Sequence, residues 1–502
     1  MGIRLVFDIA DELGLLILPA MECCTSWQNW GAWTLEMRYV AEHSVRDQLR
    51  RLGSHPSMLA FFGSSDELPP GDIEALYRQQ AEKERWPNPI IAAASQATSP
   101  ISGPTGVKMS GPYSWVPPIY WLQDTPEVAN YLGGAFGFLT EGGPGEAPLT
   151  LLSWNRTVPQ EHLWDAEGSM SSWWSFHMGN PKGKFHNLFR YTPPLDARYG
   201  SSSSAEEFCF KAQMANYEGI RAMFEGYTRN KGINATGVIQ WMMNDAWPDN
   251  LWHLYDYYLG VGGGYFGALR AGEDLHASLS FVDGSVAVVN NRYFNIDEVQ
   301  ISFTAYNPLT GAKVFQSDVE VANFIPANQI FLMLQAVPFD HIIKVVGNGT
   351  YLVSLSWSYR SPYDSKIIIG PLYNWYWLSY QMDVVAWDES NNLWTNCSQW
   401  ADFSSLQAID ASNISVTYKD TGANNYEVTL ANVGASIALF TQLAVVEAGT
   451  GREVTPTFYS DNYVTLLPGT AVMVTMQFPE RKEPPSWVLK ATTYNDVMQK
   501  EK

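Results

Sequence analysis

The chain contains no run of about 18 uncharged apolar residues, so no segment of it is suited to cross a bilayer as a helix, and no membrane partner is expected. Cysteine is scarce: Cys23 and Cys24 are adjacent and poorly placed to pair with each other, and with Cys209 and Cys397 they form no metal-ligand spacing. The eight histidines share no spacing either, which leaves metal-assisted and Ser-His-Asp chemistry without support. Gly262-Gly263-Gly264 is followed by no Lys-Ser/Thr and reads as a turn rather than a phosphate loop, so no cofactor is expected. Basic charge is also short, with 31 Lys and Arg against 51 Asp and Glu, for a net charge of −20. Such a surface disfavours nucleic acid, whose phosphates need an excess of cations. It would attract a cationic substrate, or it serves solubility alone. The opening Met1-Gly2-Ile3-Arg4-Leu5 has neither the apolar core nor the cleavage site of a secretory leader, so an extracellular home predicts sequence ahead of it.

What is abundant is tryptophan, 20 in 502 residues. Indole faces stack on sugar rings and also fill cores, so the composition leans towards carbohydrate without deciding it. Five glycosylation sequons begin at Asn155, Asn234, Asn348, Asn396 and Asn413. The length is too great for one core and predicts about three domains.

In the first half, short apolar runs alternate with helical stretches. The runs are Leu15–Pro19, Met58–Phe62, Ile90–Ala94, a weaker one over Trp115–Leu122 broken by Pro117-Pro118, Gly134–Leu139 and Gly237–Met242. Helices are expected over Val6–Leu13, Ser44–Arg51, Asp72–Glu84 and Ala205–Arg229. This alternation predicts a parallel α/β sheet or barrel over 1–273. A closed eight-stranded barrel needs two more strands than are visible, so the expected fold is a partial (β/α)8 TIM barrel without its first two strands. From about Leu275 the pattern has period two, with Gly, Asn and Asp turns, as in Ser285–Val289, Val299–Phe303 and Tyr351–Leu355. That predicts a multidomain α/β plus all-β chain: an immunoglobulin-like β-sandwich over 274–385, a linker over 386–404 and a second such sandwich over 405–495.

In parallel α/β folds functional side chains stand just past the carboxyl ends of strands. Three of the visible strands end in acids: Glu22, the pair Asp66 and Glu67, and Glu141. Retaining glycosidic cleavage needs two carboxyl groups about 5–5.5 Å apart, one as nucleophile and one as general acid and then base. Asp66 and Glu141 lie 75 positions apart, three βα units of about 25 residues, which can bring them together within a barrel. A lone strand-end acid is more often a helix cap or a surface charge; three in register point to chemistry. Asp66 and Glu67 compete for one role, because successive residues in extended chain face opposite ways. Trp241 ends the last visible strand as either a sugar-stacking wall or a core residue. Tyr113 and Tyr120 could each donate a hydrogen bond to a nucleophile or simply pack.

Taken together, several motifs carry a resemblance: Phe7-Asp8-Ile9-Ala10-Asp11-Glu12-Leu13-Gly14, Glu22-Cys23-Cys24, His55-Pro56-Ser57, Gly63-Ser64-Ser65-Asp66, Gly111-Pro112-Tyr113 with Val116-Pro117-Pro118, Phe138-Leu139-Thr140-Glu141 and Trp241-Met242-Met243-Asn244. From about Phe7 to Thr493 the chain resembles glycoside hydrolase family 2 and, within it, the exo-β-D-glucosaminidase (exochitosanase) subgroup. Most of the family carries Asn-Glu where this chain has Ser65-Asp66; the subgroup carries Ser-Asp. The resemblance implies Asp66 as acid/base and Glu141 as nucleophile; Ser65, Tyr113, Tyr120, Trp241 and Asn244 are the candidate substrate-binding residues. The resemblance also implies chitosan oligosaccharides as substrate and an extracellular or lysosome-like location. Replacing the amide donor by Ser65 leaves room for an anion, Glu22, to pair with the glucosamine ammonium, a charge-assisted and therefore strong bond. A family 2 hydrolase of β-mannosidase type, or an inactive fragment that only binds carbohydrate or serves structurally, are the alternatives. The family's jelly roll, first immunoglobulin-like domain and first two barrel strands have no counterpart here, so the resemblance implies a longer parent protein.

Overall fold

The computed structural model describes residues 2–21, 28–109, 111–123, 134–165, 170–177, 188–387, 395–480 and 486–500. Two compact units emerge: one from Met1–Ser110, Phe136–Gly142 and Asn234–Ile239, the other from Gly111–Ala135, Gly143–Ile233 and Gln240–Lys502.

The first unit is built on short strands under helices. Ile17 and Ala20 form parallel bridges with Met58 and Phe62. Phe61–Phe62 pairs in parallel with Ile90–Ile91, Lys108 bridges Leu139 in parallel, and Gly137–Gly142 pairs with Ala235–Gln240. Parallel neighbours require crossovers, here the helices Leu35–Leu52 and Gly71–Lys83. The former opens with Thr34, whose hydroxyl accepts from the Met37 N–H at 3.2 Å, and buries Ala41, Val45, Leu49 and Leu52, an apolar stripe at helical spacing. This stripe packs with Phe7, Met58, Phe61, Ile73 and Tyr77 in one core. Leu5, Val6, Leu13, Leu15 and Leu16 remain exposed. The fourth expected strand is corrected: Ile119–Leu122 is one helical turn, because Pro117 and Pro118 lack the N–H a strand ladder needs and Pro118 sits well at a helix start. Lys108 takes the place beside the fifth strand instead.

The second unit is organised around the helix Ala205–Arg229, buried on nearly all sides, with Ser204 capping its first turn. Glu218, Arg221 and Glu225 in its middle are buried too, and each finds partners. Glu218 and Asp383 hold Arg198 between them, with Arg198 Nη2 2.6 Å from Glu218 Oε1. Arg221 Nη1 donates to Asn374 Oδ1 at 2.9 Å and to the Trp375 carbonyl at 2.6 Å. Glu225 Oε1 meets His276 Nε2 and the Tyr376 hydroxyl, both at 2.8 Å.

The residues after 274 form two pairs of antiparallel sheets, as period-two patterning predicts. In the first pair, Ile330–Leu332, Val286–Asn290 and Leu275–Leu279 make one sheet. Lys313–Gln316, Ile296–Tyr306, Thr350–Arg360 and Ile368–Ser379 make the other, with Glu320–Ile325 also on Ile296–Tyr306. In the second, Ile414–Gly422, Asn425–Asn432, Ala471–Gln477 and Phe458–Tyr459 face Val464–Leu466, Ala438–Glu447 and Trp487–Thr492. Between them, in and around the expected linker, Val384–Ala386 pairs with Asn396–Gln399 as a short ribbon. No helix among the described residues is long and apolar enough to cross a membrane.

Arg198 offers a direct test of this packing. Replacing it with Met leaves the buried carboxyls of Glu218 and Asp383 without their cation, and the expected loss is about 3–5 kcal/mol of unfolding free energy in a urea titration.

Candidate active site

Asp66 and Glu141 both belong to the first unit. The segment after Phe61–Phe62 turns through Gly63, where a Cβ would stand 2.9 Å from the Ala92 carbonyl oxygen, so a side chain there would push the turn off its neighbour. Ser64 is fully buried and its hydroxyl donates to backbone carbonyls of Glu67 and Ala92. Ser65 is buried; its hydroxyl donates to Asp66 Oδ1 at 2.6 Å, while Asp66 itself is exposed. That bond orients the carboxylate and leaves Oδ2 for other work. Glu67 is exposed as well, with its N–H donated to Gln28 Oε1 at 2.9 Å.

Glu141 is the next-to-last residue of the strand Gly137–Gly142 and is partly buried. Its neighbour Thr140 donates its hydroxyl to the Ala94 carbonyl at 2.7 Å and to the Lys108 carbonyl at 3.0 Å. The Ala94 N–H in turn donates to the carbonyls of Ser64 and Ser65, both at 3.0 Å. One residue, Ala94, therefore ties the residue before Asp66 to the residue before Glu141. Composition and spacing gave no hint of this link, nor of the role of Lys108. The Lys108 ammonium lies 3.5 Å from the centre of the Phe136 ring, and burial pushes its pKa down to about 7.

The other site residues lie in the second unit or beyond the described residues. Glu22 falls among the latter. The Tyr113 carbonyl accepts from Trp252 Nε1 at 2.7 Å, and the Trp252 ring lies 6.1 Å from Tyr113 and 6.5 Å from Trp241. Tyr113, Trp252 and Trp241 thus make a continuous aromatic run, of which sequence reading found the two ends; Trp252 had no periodicity to single it out. Asn244 is exposed and bridges Tyr255 in parallel. Tyr120 is buried against Trp121 and Trp387, and burial raises its phenol well above the ordinary range.

A group absent from the sequence reading follows Asn244. Asp245, Asp249 and His253, spaced four apart, bring their polar atoms within 4.8 Å of one another. His253 Nδ1 is 2.6 Å from Asp245 Oδ2. Burial lowers the basicity of His253, but the Asp245 hydrogen bond and charge outweigh it and raise its pKa. Burial and the charge of Asp245 push the Asp249 carboxyl up to about 7, so that a proton is held between the two acids.

Residues 392–495 match the exo-β-D-glucosaminidase Ig-fold domain model. The exo-β-D-glucosaminidase of Streptomyces avermitilis is 33% identical over 94% of this chain and 52% of its own length. The crystal structure of Amycolatopsis orientalis exo-chitosanase CsxA superposes with a TM-score of 0.86 at 29% identity, covering 98% of this chain and 58% of that one. A variant of that exo-chitosanase in complex with PNP-β-D-glucosamine gives a TM-score of 0.85 at 29% identity, with the same coverage of 98% and 58%. The chain spans about half the length of the curated relatives it matches. It is a homologue of the exo-β-D-glucosaminidases of glycoside hydrolase family 2.

Buried acids set the pH dependence of stability. Burial holds Glu146 at about 8, burial and the charge of Asp256 hold Glu453 at about 8, and Asp249 stands at about 7. Unfolded, each would release its proton near pH 4. The folded chain therefore binds more protons between about pH 4 and 7, and stability falls as pH rises through that window. His253 acts in the same direction: its contribution is complete below the ordinary imidazole value and is lost as pH rises through its raised pKa. Lys108, lowered to about 7, opposes this only above that pH. A melting temperature that declines from pH 5 to 7, with a shallower decline in Glu453→Gln, is the expected result by scanning calorimetry.

Proposed function

We propose that this protein is a retaining glycoside hydrolase that releases β-linked D-glucosamine from the non-reducing ends of chitosan oligosaccharides. In this reading the strand segments of the first unit belong to a partial (β/α)8 barrel over residues 1–273, without its first two strands, followed by immunoglobulin-like β-sandwiches over 274–385 and 405–495. Glu141 attacks the anomeric carbon while Asp66 gives its proton to the departing glycosidic oxygen. Asp66, now a carboxylate, removes a proton from water as that water displaces Glu141 and restores the configuration. The Ser65 hydroxyl holds one Asp66 oxygen at 2.6 Å throughout, so the other carries the proton. Trp241 and Tyr113 offer ring faces and edges to the sugar, Asn244 an amide, and Glu22 a negative charge for the ammonium.

The observation that carries the reading is the Ala94 link, in which the N–H and the carbonyl of one residue bond Ser65 and Thr140, the neighbours of the two acids. The substrate rests on similarity to enzymes named for glucosamine and on the Ser65-Asp66 pair. A net charge of −20 suits a polycation. An extracellular or lysosome-like location fits a polymeric substrate and five sequons.

Hydrolysis of aryl β-glucosaminide against aryl β-mannoside tests the assignment. The glucosaminide is expected to be cleaved and the mannoside spared. Asp66→Asn should slow turnover of a poor leaving group by about 10²–10⁴-fold, with a smaller loss on an activated aryl group that needs no proton, and Glu141→Gln should abolish both. Equal activity on the two sugars overturns the substrate, and an active Glu141→Gln overturns the mechanism. Glu22→Gln should raise KM for glucosaminides while narrowing the preference over glucosides; an unchanged preference removes Glu22 from amine recognition.

A further inference from the structure

Far along the chain from the acids, the second unit encloses a cavity of about 500 Å³. It lies where the strand Ile368–Ser379, the helix Gly263–Ala271 and the strands Val464–Leu466 and Ala471–Gln477 come together. That volume is within the range of small-ligand sites, which favour such junctions and are walled mostly by apolar and aromatic groups with few polar ones.

The wall follows from strand geometry. Tyr373, Trp375 and Trp377 alternate with Asn374 and Tyr376, so the three aromatics share one face while the other two turn into the buried network of Glu225 and His276. On one face of a strand, neighbouring side chains stand about 6.6–6.8 Å apart. Trp377 is buried at the inner end of the row, which leaves the Tyr373 and Trp375 rings as two steps for an extended chain of rings. The ladder is held firmly. Trp377 Nε1 donates to the Tyr199 hydroxyl at 2.8 Å, and the Trp375 ring packs 5.7 Å from Tyr306. Outward the ladder opens: Tyr373 is 46% exposed, and among the described residues neither its hydroxyl nor the Trp375 indole N–H has a hydrogen-bond partner. The floor is polar. Arg270 and Asp461 both line the cavity and pair with each other, and Arg270 also meets Glu273 at 2.5 Å, so a cation and a carboxylate stand side by side there.

We propose that this cavity is an accessory carbohydrate-binding site that takes a stretch of a glucosamine-containing oligosaccharide, with sugar rings on Tyr373 and Trp375 and their polar substituents against Arg270 and Asp461. Aromatic faces with unpaired O–H and N–H groups recognise pyranose rings and their hydroxyls, and the Arg270–Asp461 pair offers donors and acceptors to the same groups. The amino-sugar choice rests on the proposed function; the site itself does not. It would hold polymer to the protein without taking part in bond cleavage.

The test is calorimetric titration of Glu141→Gln protein, which would not consume its ligand, with a glucosamine hexamer. Two binding events are expected, reduced to one in Glu141→Gln/Tyr373→Ala and in Glu141→Gln/Trp375→Ala. Tyr373→Ala, at an exposed ring whose hydroxyl has no partner among the described residues, guards against loss of binding through misfolding, and its melting temperature should equal the parent's. On an otherwise unaltered background, Tyr373→Ala should leave aryl β-glucosaminide hydrolysis unchanged and slow release from long chitosan several-fold. A single binding event untouched by either substitution overturns the site, and an equal second event with a neutral glucose hexamer overturns the amino-sugar preference. If the parent protein leaves aryl β-glucosaminide intact yet binds the hexamer through Tyr373, the proposed activity falls and the accessory site stands.

Discussion

The second unit depends on keeping several charges out of water at once. Glu218, Arg221 and Glu225 sit on successive turns of one helix and are all nearly inaccessible. A charge in that position is tolerable only when paired and hydrogen-bonded. Burial pushes the Glu225 carboxyl up, but hydrogen bonds from His276 and the charge of Arg221 outweigh it and hold the group below its ordinary value. Glu218 goes the other way: burial prevails over Arg198 and the carboxyl is raised. These pairings reach from the helix to the strand Ile368–Ser379 through Asn374, Trp375 and Tyr376. The same contacts decide which face of that strand turns inward and which carries the Tyr373 and Trp375 rings.

In the first unit the organising bonds are backbone ones. Strands of two residues contribute little on their own, and the geometry at their ends is set by single hydrogen bonds such as those to Ala94. Ser64 and Thr140, buried hydroxyls with no chemistry of their own in the proposed reaction, fix the turns that present Asp66 and Glu141. Such supporting hydroxyls give a reactive carboxylate a defined direction, and orientation is worth a substantial part of a reaction barrier.

Charge has two scales in this protein. At long range the acidic excess favours a cationic polymer and repels polyanions. At short range, burial reverses the ordinary behaviour of carboxyl groups such as Glu146, Asp249 and Glu453, which keep their protons near neutrality. The two effects come from different residues, and only the first can be read from composition.

Periodicity was enough to find the elements. The helix Ala205–Arg229 matches its expected ends, and the expected strands Val299–Phe303 and Tyr351–Leu355 lie inside Ile296–Tyr306 and Thr350–Arg360. Local pattern reports local structure, because helix and strand place side chains at fixed intervals. It failed at Trp115–Leu122, where apolar content resembled a strand but two prolines forbade one. Of the candidate site, Asp66, Glu141, Trp241 and Tyr113 were legible as residues of the right type past strand ends or in a recognisable motif. The sequence by itself determined which groups were available and which segments would carry them. Only the tertiary structure joined Ser65 to Thr140 through Ala94, set Trp252 between Tyr113 and Trp241, packed Tyr120 against Trp121 and Trp387, and gathered Asp245, Asp249 and His253. Those contacts bring together residues from separate segments or fold a loop back on itself, and no one-dimensional pattern records which side chains a folded chain will bring within a hydrogen bond of each other.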